Sequence, residues 1–301
     1  MAAVAQPRAL PRYPTLFGRR LKFQWPSPAY WVLVPLAIFA VLPIIYVIST
    51  AFKTLEELLL FPPPFFVRRP TMDNFQDLLL ATNALAVPFS RYLFNSVFVT
   101  LTTVLLQVLF CSMAAYPLSK ARGLPGTNII FGMVIAALMF APQVTRIPQY
   151  LVVQKLGMID TYWALIVPAL AYSLGLFMMK QFMDNSVDIS LIEAARIDGA
   201  TEWTIFWRVV MPNVAPAWNT LLIFGFIAHW NDSFSPVVFT RSEAMKTVSV
   251  AMISLTNGPA TVARLGAQSA AAFLMTAPTI IVFLLRQAKV MQTMAHSGIK
   301  G

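Results

Sequence analysis

The stretch SLIEAARIDGATEWTIFWRVVMPNVAPA, residues 190–217, holds Glu193, Arg196, Asp198, Glu202 and Arg208 in a chain that is 58% hydrophobic and only 11% charged. Its local chemistry predicts two short helices. Ser190 and Glu193 have the spacing of a capping box, in which the hydroxyl accepts from the backbone N–H at 193 and the glutamate reaches back. A helix then runs through Ala194, Ala195, Arg196 and Ile197. Gly199 stands where a left-handed C-terminal cap falls, a conformation that costs a residue with a Cβ about 1 kcal/mol or more. Thr201 can cap a second helix through Trp203, Phe206 and Val210, which Pro212 and Pro216 are expected to close. Ala194, Ala195, Gly199 and Ala200 are small enough for another backbone to come close. The mixed signs of charge suit a protein cleft better than an anionic lipid surface. An amphipathic loop lying in the headgroups is the alternative.

The chain around this stretch reads as an integral membrane protein. It has 301 residues and a mean hydropathy of +0.68, too apolar to clothe a soluble globule. Apolar runs of about 20 residues match a hydrocarbon core of ~30 Å. Six spans are expected, at about 30–51, 92–118, 128–152, 162–183, 218–240 and 268–288. Pro35 and Pro43 should bend the first, and APQVTRIPQ interrupts the third. The outer connection of about 52–91 carries FPPPFF, which should be stiff and extended.

Charge sets the orientation. With the N-terminus inside, inner segments carry thirteen Lys and Arg, including Arg8, Arg12, Arg19, Arg20 and Lys22, against nine outside. The weight before the first span usually dominates, so both termini are expected in the cytoplasm. Residues 1–29 and 290–301 would then be tails, 30–289 the transmembrane domain, and the loop of about 184–217 would face the cytoplasm between spans four and five. The first apolar run starts near Tyr30 and lacks a small-residue cleavage site behind an early apolar core, so it reads as a retained span rather than a secretory signal.

Other chemistry is not indicated. The net charge of +10 is distributed between apolar segments, so a nucleic-acid surface is not expected. Cys111 is the one cysteine and sits in an apolar run, as a small core residue would. No phosphate-binding G-x-x-x-x-G-K-[ST], no H-E-x-x-H and no Ser/His/Asp set occurs. Of the two histidines, His229 is expected neutral and hydrogen-bonded between helices, and His296 solvated near the C-terminus. The chain itself is expected to bind no cofactor and no metal.

The fifth span carries His229-Trp230-Asn231-Asp232-Ser233-Phe234-Ser235-Pro236. An Asp within a span costs about 2.5–3.5 kcal/mol on insertion scales, so it should face a cavity or a partner. Helical spacing would put Asn231 and Ser235 on one face, with Asp232 one step around. Amide and carboxylate groups beside the ring of Trp230 suit a sugar. Packing of Asp232 against a polar group on another helix is equally open. Pro236 could bend the span.

Glu193-Ala194-Ala195, three residues, Gly199, nine residues, then Val209-x-Met211-Pro212 resembles the EAA loop of ABC importer permeases, whose pattern reads E-A-A-x3-G-x9-I-x-L-P. Val209 and Met211 replace its Ile and Leu. EAARIDGAT is similar to the carbohydrate subfamily, the maltose-type permeases, although Asp188 stands near the place where that subfamily often has proline. PTMDNFQDLL (70–79), LGMIDTYWALIVP (156–168), Thr247-Val248-Ser249-Val250 and the ending Gly298-Ile299-Lys300-Gly301 extend the likeness over roughly residues 30–301.

The resemblance implies a sugar-importing permease of a prokaryotic cytoplasmic membrane. Its partners would be a second permease, two ATPase subunits that hold ATP and Mg, and an extracytoplasmic solute-binding protein. Glu193, Ala194, Ala195, Arg196, Asp198, Gly199, Ala200 and Pro212 would form the ATPase-coupling loop. Asn231, Asp232, Ser235 and Trp230 would lie on the translocation path. Two other classes compete: an ion-coupled secondary transporter, which needs buried charges in several spans, and a membrane scaffold, which needs no glycine-split loop. An importer permease for a non-sugar solute is a variant of the first reading.

Overall fold

The computed structural model describes residues 28–83, 87–121, 124–256 and 264–297, and every regular element among them is helical. The basic residues before Pro28, Arg122 and the ending 298–301 lie outside the described residues. In chain order the helices are α1 (Pro28–Ala51), α2 (Leu55–Leu59), α3 (Asp73–Asn83), α4 (Phe89–Lys120), α5 (Thr127–Leu138), α6 (Pro142–Lys155), α7 (Tyr162–Leu170) and α8 (Ser173–Ser186). They continue with α9 (Ile189–Ile197), α10 (Glu202–Ile205), α11 (Met211–Asn213), α12 (Ala215–Trp230), α13 (Phe234–Phe239), α14 (Val248–Thr256) and α15 (Leu265–Ser297). A single π-helical turn, Phe206–Val210, joins α10 to α11.

Among the described residues, three helices are long and apolar enough to cross a membrane alone: α1, α4 and α15. The count reaches six when bent pairs are taken as single spans. The expected third span is not one rod. α5 and α6 turn by 112° about Met139–Ala141, where APQVTRIPQ interrupts the apolar run. The fourth bends by 42° between α7 and α8.

The fifth expected span, 218–240, is also discontinuous, which corrects the reading of one helical face carrying Asn231 and Ser235. α12 stops at Trp230 and α13 starts at Phe234. A 16-residue helix reaches only about 24 Å at 1.5 Å per residue, short of a ~30 Å core. The break precedes Pro236 rather than sitting at it. The cause is the Asp232 carboxylate, whose Oδ1 accepts from the backbone N–H groups of Phe234 (3.0 Å) and Ser235 (3.1 Å). Such a local acceptor competes with the helical ladder. Pro236 has no N–H to offer the Asp232 carbonyl, and the Ser249 hydroxyl donates there instead at 2.7 Å.

α4 is the axis against which α7, α8, α12 and α14 pack. It buries polar groups along one face, among them Asn95, Ser96, Thr100, Gln107 and Ser112. Gln107 shows why. α7 ends at Leu170, which leaves the Ala169 carbonyl without a helical donor, and Gln107 Nε2 supplies one at 3.0 Å. His229 Nε2 lies 3.4 Å from Gln107 Oε1, so this histidine is held between helices as expected. Cys111 is buried, its Sγ 3.6 Å from the Tyr172 carbonyl.

The connection after α1 is more structured than a proline-stiffened loop. α2 and α3 flank a non-helical FPPPFF segment. Buried Lys53 donates to the Pro64 carbonyl and sits 4.7 Å from the centre of the Tyr46 ring. Buried Glu57 accepts from the backbone N–H groups of Arg68 and Arg69. At the other end of the chain, α15 continues to Ser297, past the expected end of the sixth span.

Candidate coupling loop and solute path

The stretch 189–213 forms two helical arms about Gly199. The first arm is α9, and its start differs from the capping box expected at Ser190. Asp188 occupies the N-cap without a side-chain cap bond, and Ser190 already lies inside the helix. Gly199 adopts φ +84, as expected for a left-handed cap. Its N–H donates to the Arg196 carbonyl, and that of Ala200 donates to Ala195, both at 3.0 Å. A Cβ at Gly199 would meet open space, so backbone conformation and not crowding requires glycine there.

Thr201 caps the second arm by accepting from Thr204 N–H. This arm does not stop at Pro212. It passes through the π turn to Asn213, and Pro216 falls in the first turn of α12 rather than at the close of the loop. Proline fits a first helical turn because its missing N–H would have no partner there. The arm Glu202–Asn213 meets α12 at 78°, so it lies nearly across the following helix.

Apolar residues root both arms. Ile192, Ile205, Val210 and Val214 are fully buried with Met179, Met183 and Val187 of the preceding helix and its end, and with Ala115 of α4. The outward side is open: Ala194, Arg196, Asp198, Gly199 and Pro212 are exposed, while Glu193, Ala195 and Ala200 are half-buried. Ile197 is 86% and Trp203 58% exposed.

A polar staple ties the arms together, and no sequence pattern predicts it. Arg196 Nε donates to Glu202 Oε1 at 2.6 Å, and the Tyr116 hydroxyl of α4 donates to Glu202 Oε2 at 2.6 Å. The Arg196 and Tyr116 hydrogen bonds hold the Glu202 carboxyl below its ordinary value. Eighty-six residues separate Tyr116 from Glu202, too far for any local motif to announce the pairing.

The expected path residues do not act as one set. Trp230 is buried, stacks on Phe226 at 5.6 Å and donates its indole N–H to the Met275 carbonyl of α15 at 2.8 Å. Its ring serves to pack α12 on α15. Asn231 is exposed and donates to the Ile227 carbonyl at 2.8 Å. Asp232 and Ser235 are half-buried, and the Asp232 carboxylate holds the turn into α13.

At the opposite end of the bundle, buried α4 residues fasten the segment 240–248. Asn95 donates from Nδ2 to the carbonyls of Ala244 and Lys246, each at 2.8 Å, and accepts from the Tyr162 hydroxyl at 2.7 Å. Ser96 accepts from Val248 N–H, and the Tyr92 hydroxyl donates to Glu243. Asp160, at φ 62, accepts through Oδ1 from the N–H groups of Arg241 and Ser242 and from the Ser242 hydroxyl. The Ser242 and Arg241 N–H groups hold its carboxyl below the usual value.

Comparisons with known proteins agree with this architecture. Residues 27–290 match the family model described as binding-protein-dependent transport system inner membrane component. The chain is 30% identical to Protein LplC of Bacillus subtilis over 278 residues, which cover 87% of this chain and 90% of that one. It is 32% identical over 224 residues to the polygalacturonan/rhamnogalacturonan transport system permease protein YtcP of Bacillus subtilis, covering 73% of this chain and 74% of the other. A chain in the crystal structure of a bacterial ABC transporter involved in import of the acidic polysaccharide alginate has the same fold, with TM-score 0.73 and 22% identity over 88% of this chain and 99% of that chain. With its apolar helices, its glycine-split loop and a family match over most of its length, the chain belongs to the inner membrane components of binding-protein-dependent transport systems.

Proposed function

We propose that this chain is the permease subunit of an ATP-driven importer that carries a sugar or oligosaccharide across a prokaryotic cytoplasmic membrane. It crosses six times with both termini in the cytoplasm, and it pairs with a second permease to enclose the path. Two separate ATPase subunits hold ATP and Mg, and an extracytoplasmic binding protein delivers the solute. The names of relatives such as YtcP support a carbohydrate cargo.

One observation carries the coupling role. The loop 189–213 is rooted in an apolar core yet exposes Ile197 and Trp203, together with Ala194 and Gly199. A rooted loop with an open tip passes a push on the tip into α8 and α12, which is how a two-state rigid-body change would be driven. The ATPase would grip Glu193, Ala194, Ala195, Arg196, Asp198, Gly199, Ala200 and Pro212.

The test is Gly199→Val in the assembled transporter. A β-branched residue is strained at φ +84, so ATPase copurification and ATP-driven uptake should both fall at least tenfold. Unchanged uptake, with no ATPase associating with the wild-type chain, would sink the reading. Uptake that follows an ion gradient and ignores ATP depletion would replace it with a secondary transporter.

A further inference from the structure

α6 is the most polar segment inside any expected span. Gln143, Arg146 and Gln149 recur every third residue along one side of it. An arginine at the centre of a span costs about 2.5–3.5 kcal/mol on insertion scales, so its head must be shielded from lipid or used. The structure shows where the head goes. The Arg146 guanidinium lies 3.6 Å from the centre of the Phe234 ring, at the first residue of α13. One turn further along α6, Tyr150 stacks on Phe239. α6 therefore lies along α13, and Arg146 sits beside the break in the fifth span.

Stacking uses the face of a guanidinium and leaves its in-plane N–H donors for other acceptors. Among the described residues no carboxylate lies within ion-pair distance of Arg146. Asp232 is two residues from Phe234, but its Oδ1 already accepts the N–H groups of Phe234 and Ser235. Arg146 is half-buried, Gln149 likewise, and Gln143 is exposed. The result is a guanidinium seated on the Phe234 ring, with a glutamine about one turn before and after it on α6 and no carboxylate within ion-pair distance among the described residues. A planar fork of this kind matches a carboxylate, and primary amides match sugar hydroxyls.

We propose that Arg146, with Gln143 and Gln149, forms a solute-contact site that takes the carboxylate of an acidic sugar, a uronate unit of an oligosaccharide. This rests on the importer reading and adds the solute class and the residues that recognise it. Arg146 recognises the charge, Phe234 fixes its orientation, and the glutamines bind neighbouring hydroxyls.

The experiment uses the complete transporter, with its partner permease, ATPase subunits and binding protein, reconstituted in vesicles. Uptake of trigalacturonate is measured against that of its methyl ester, in which each carboxylate is replaced by a neutral ester. The wild type should favour the acid. Charge-assisted hydrogen bonds are about twice as strong as neutral ones, so the acid-to-ester ratio should fall about tenfold or more in Arg146→Gln. Arg146→Lys should recover part of it. Copurification of the ATPase with each variant reports assembly, and comparison within one preparation removes differences in yield.

An unchanged ratio in Arg146→Gln, or a wild type that imports only the ester, overturns the site and leaves the importer reading standing. Equal loss of both sugars in Arg146→Gln and Asp232→Asn would mean that the arginine serves closure onto Asp232, which also overturns the site. An Arg146 effect that appears only when phosphatidylglycerol is present beside phosphatidylcholine overturns it too, since a lipid headgroup would then be the anion. A wild-type complex whose ATP hydrolysis responds to no sugar defeats the importer reading and the site together.

Discussion

The two ends of the bundle are fastened by different chemistry. Segment 240–248 is locked onto α4 by buried hydrogen bonds centred on Asn95, which is completely inaccessible. Loop 189–213 is held by apolar packing around Ile192 and Ile205, with the Arg196–Glu202–Tyr116 staple at its surface. Buried polar networks demand one geometry, because a half-satisfied network costs more than none. An apolar root tolerates small shifts and keeps its burial. One end thus demands a single register, whereas the other can shift without losing its burial.

The contrast can be broken at its hardest point first. Asn95→Leu strands the Lys246 carbonyl and the Tyr162 hydroxyl, each worth about 1–3 kcal/mol when buried without a partner, while Arg91 still donates to the Ala244 carbonyl. The detergent-solubilised protein should lose roughly 4 kcal/mol, read as a large fall in melting temperature. A change near that of a surface variant would show that these bonds do not carry the outer end.

Ile192→Ala should cost about 2–4 kcal/mol through the cavity it leaves. The expected signature is loosening of the loop alone: faster proteolysis near Gly199, with the 240–248 segment unchanged. Proteolysis spreading to both ends would show that the two are one unit.

Asp160→Ala should cost about 1–2 kcal/mol, because Arg241 and Ser242 lose their shared acceptor and alanine is poor at φ 62. Asp160→Gly, which restores only the backbone freedom, should recover a part, and thermal melts would rank the three chains. The pH dependence has a definite sign. A carboxyl with a lowered folded value stabilises above the ordinary carboxylate range, and the gain disappears as pH falls through the lowered value.

The smallest effect belongs to Glu202→Gln. The Arg196–Glu202 pair is largely exposed, so its loss should cost only about a few tenths of a kcal/mol in stability. Its mark should lie in coupling instead, as futile ATP hydrolysis without uptake in the assembled transporter. The same staple should open in the wild type only when pH drops below the ordinary glutamate range, since its folded value is lowered. Intact coupling in Glu202→Gln would reduce the staple to decoration.

Legibility follows the range of the interactions. The loop is readable because its determinants are local. Gly199 takes a left-handed turn for want of a Cβ, and Thr201 caps the residues that follow it. Where the structure departs from the pattern nearby, the choice lies between neighbours. Asp188 rather than Ser190 begins α9, so Ser190 falls inside the helix while Ile192 enters the core. Pro212 has the look of a stop, but a π turn absorbs the extra residue and lets the arm run on to Asn213. The fifth span misleads for a further reason. Apolar residues run up to Trp230 and resume at Val237, but between them Asp232 turns back on Phe234 and Ser235 while Ser249 takes up the freed carbonyl.

By itself the sequence determined that this chain is a helical membrane protein with a glycine-hinged polar loop, because hydropathy, capping and backbone freedom act within a few residues. Only the tertiary structure decided which spans break, that Tyr116 reaches Glu202, and that Arg146 lies over Phe234. Those outcomes depend on groups tens of residues apart, which come together only after the helices have packed around α4.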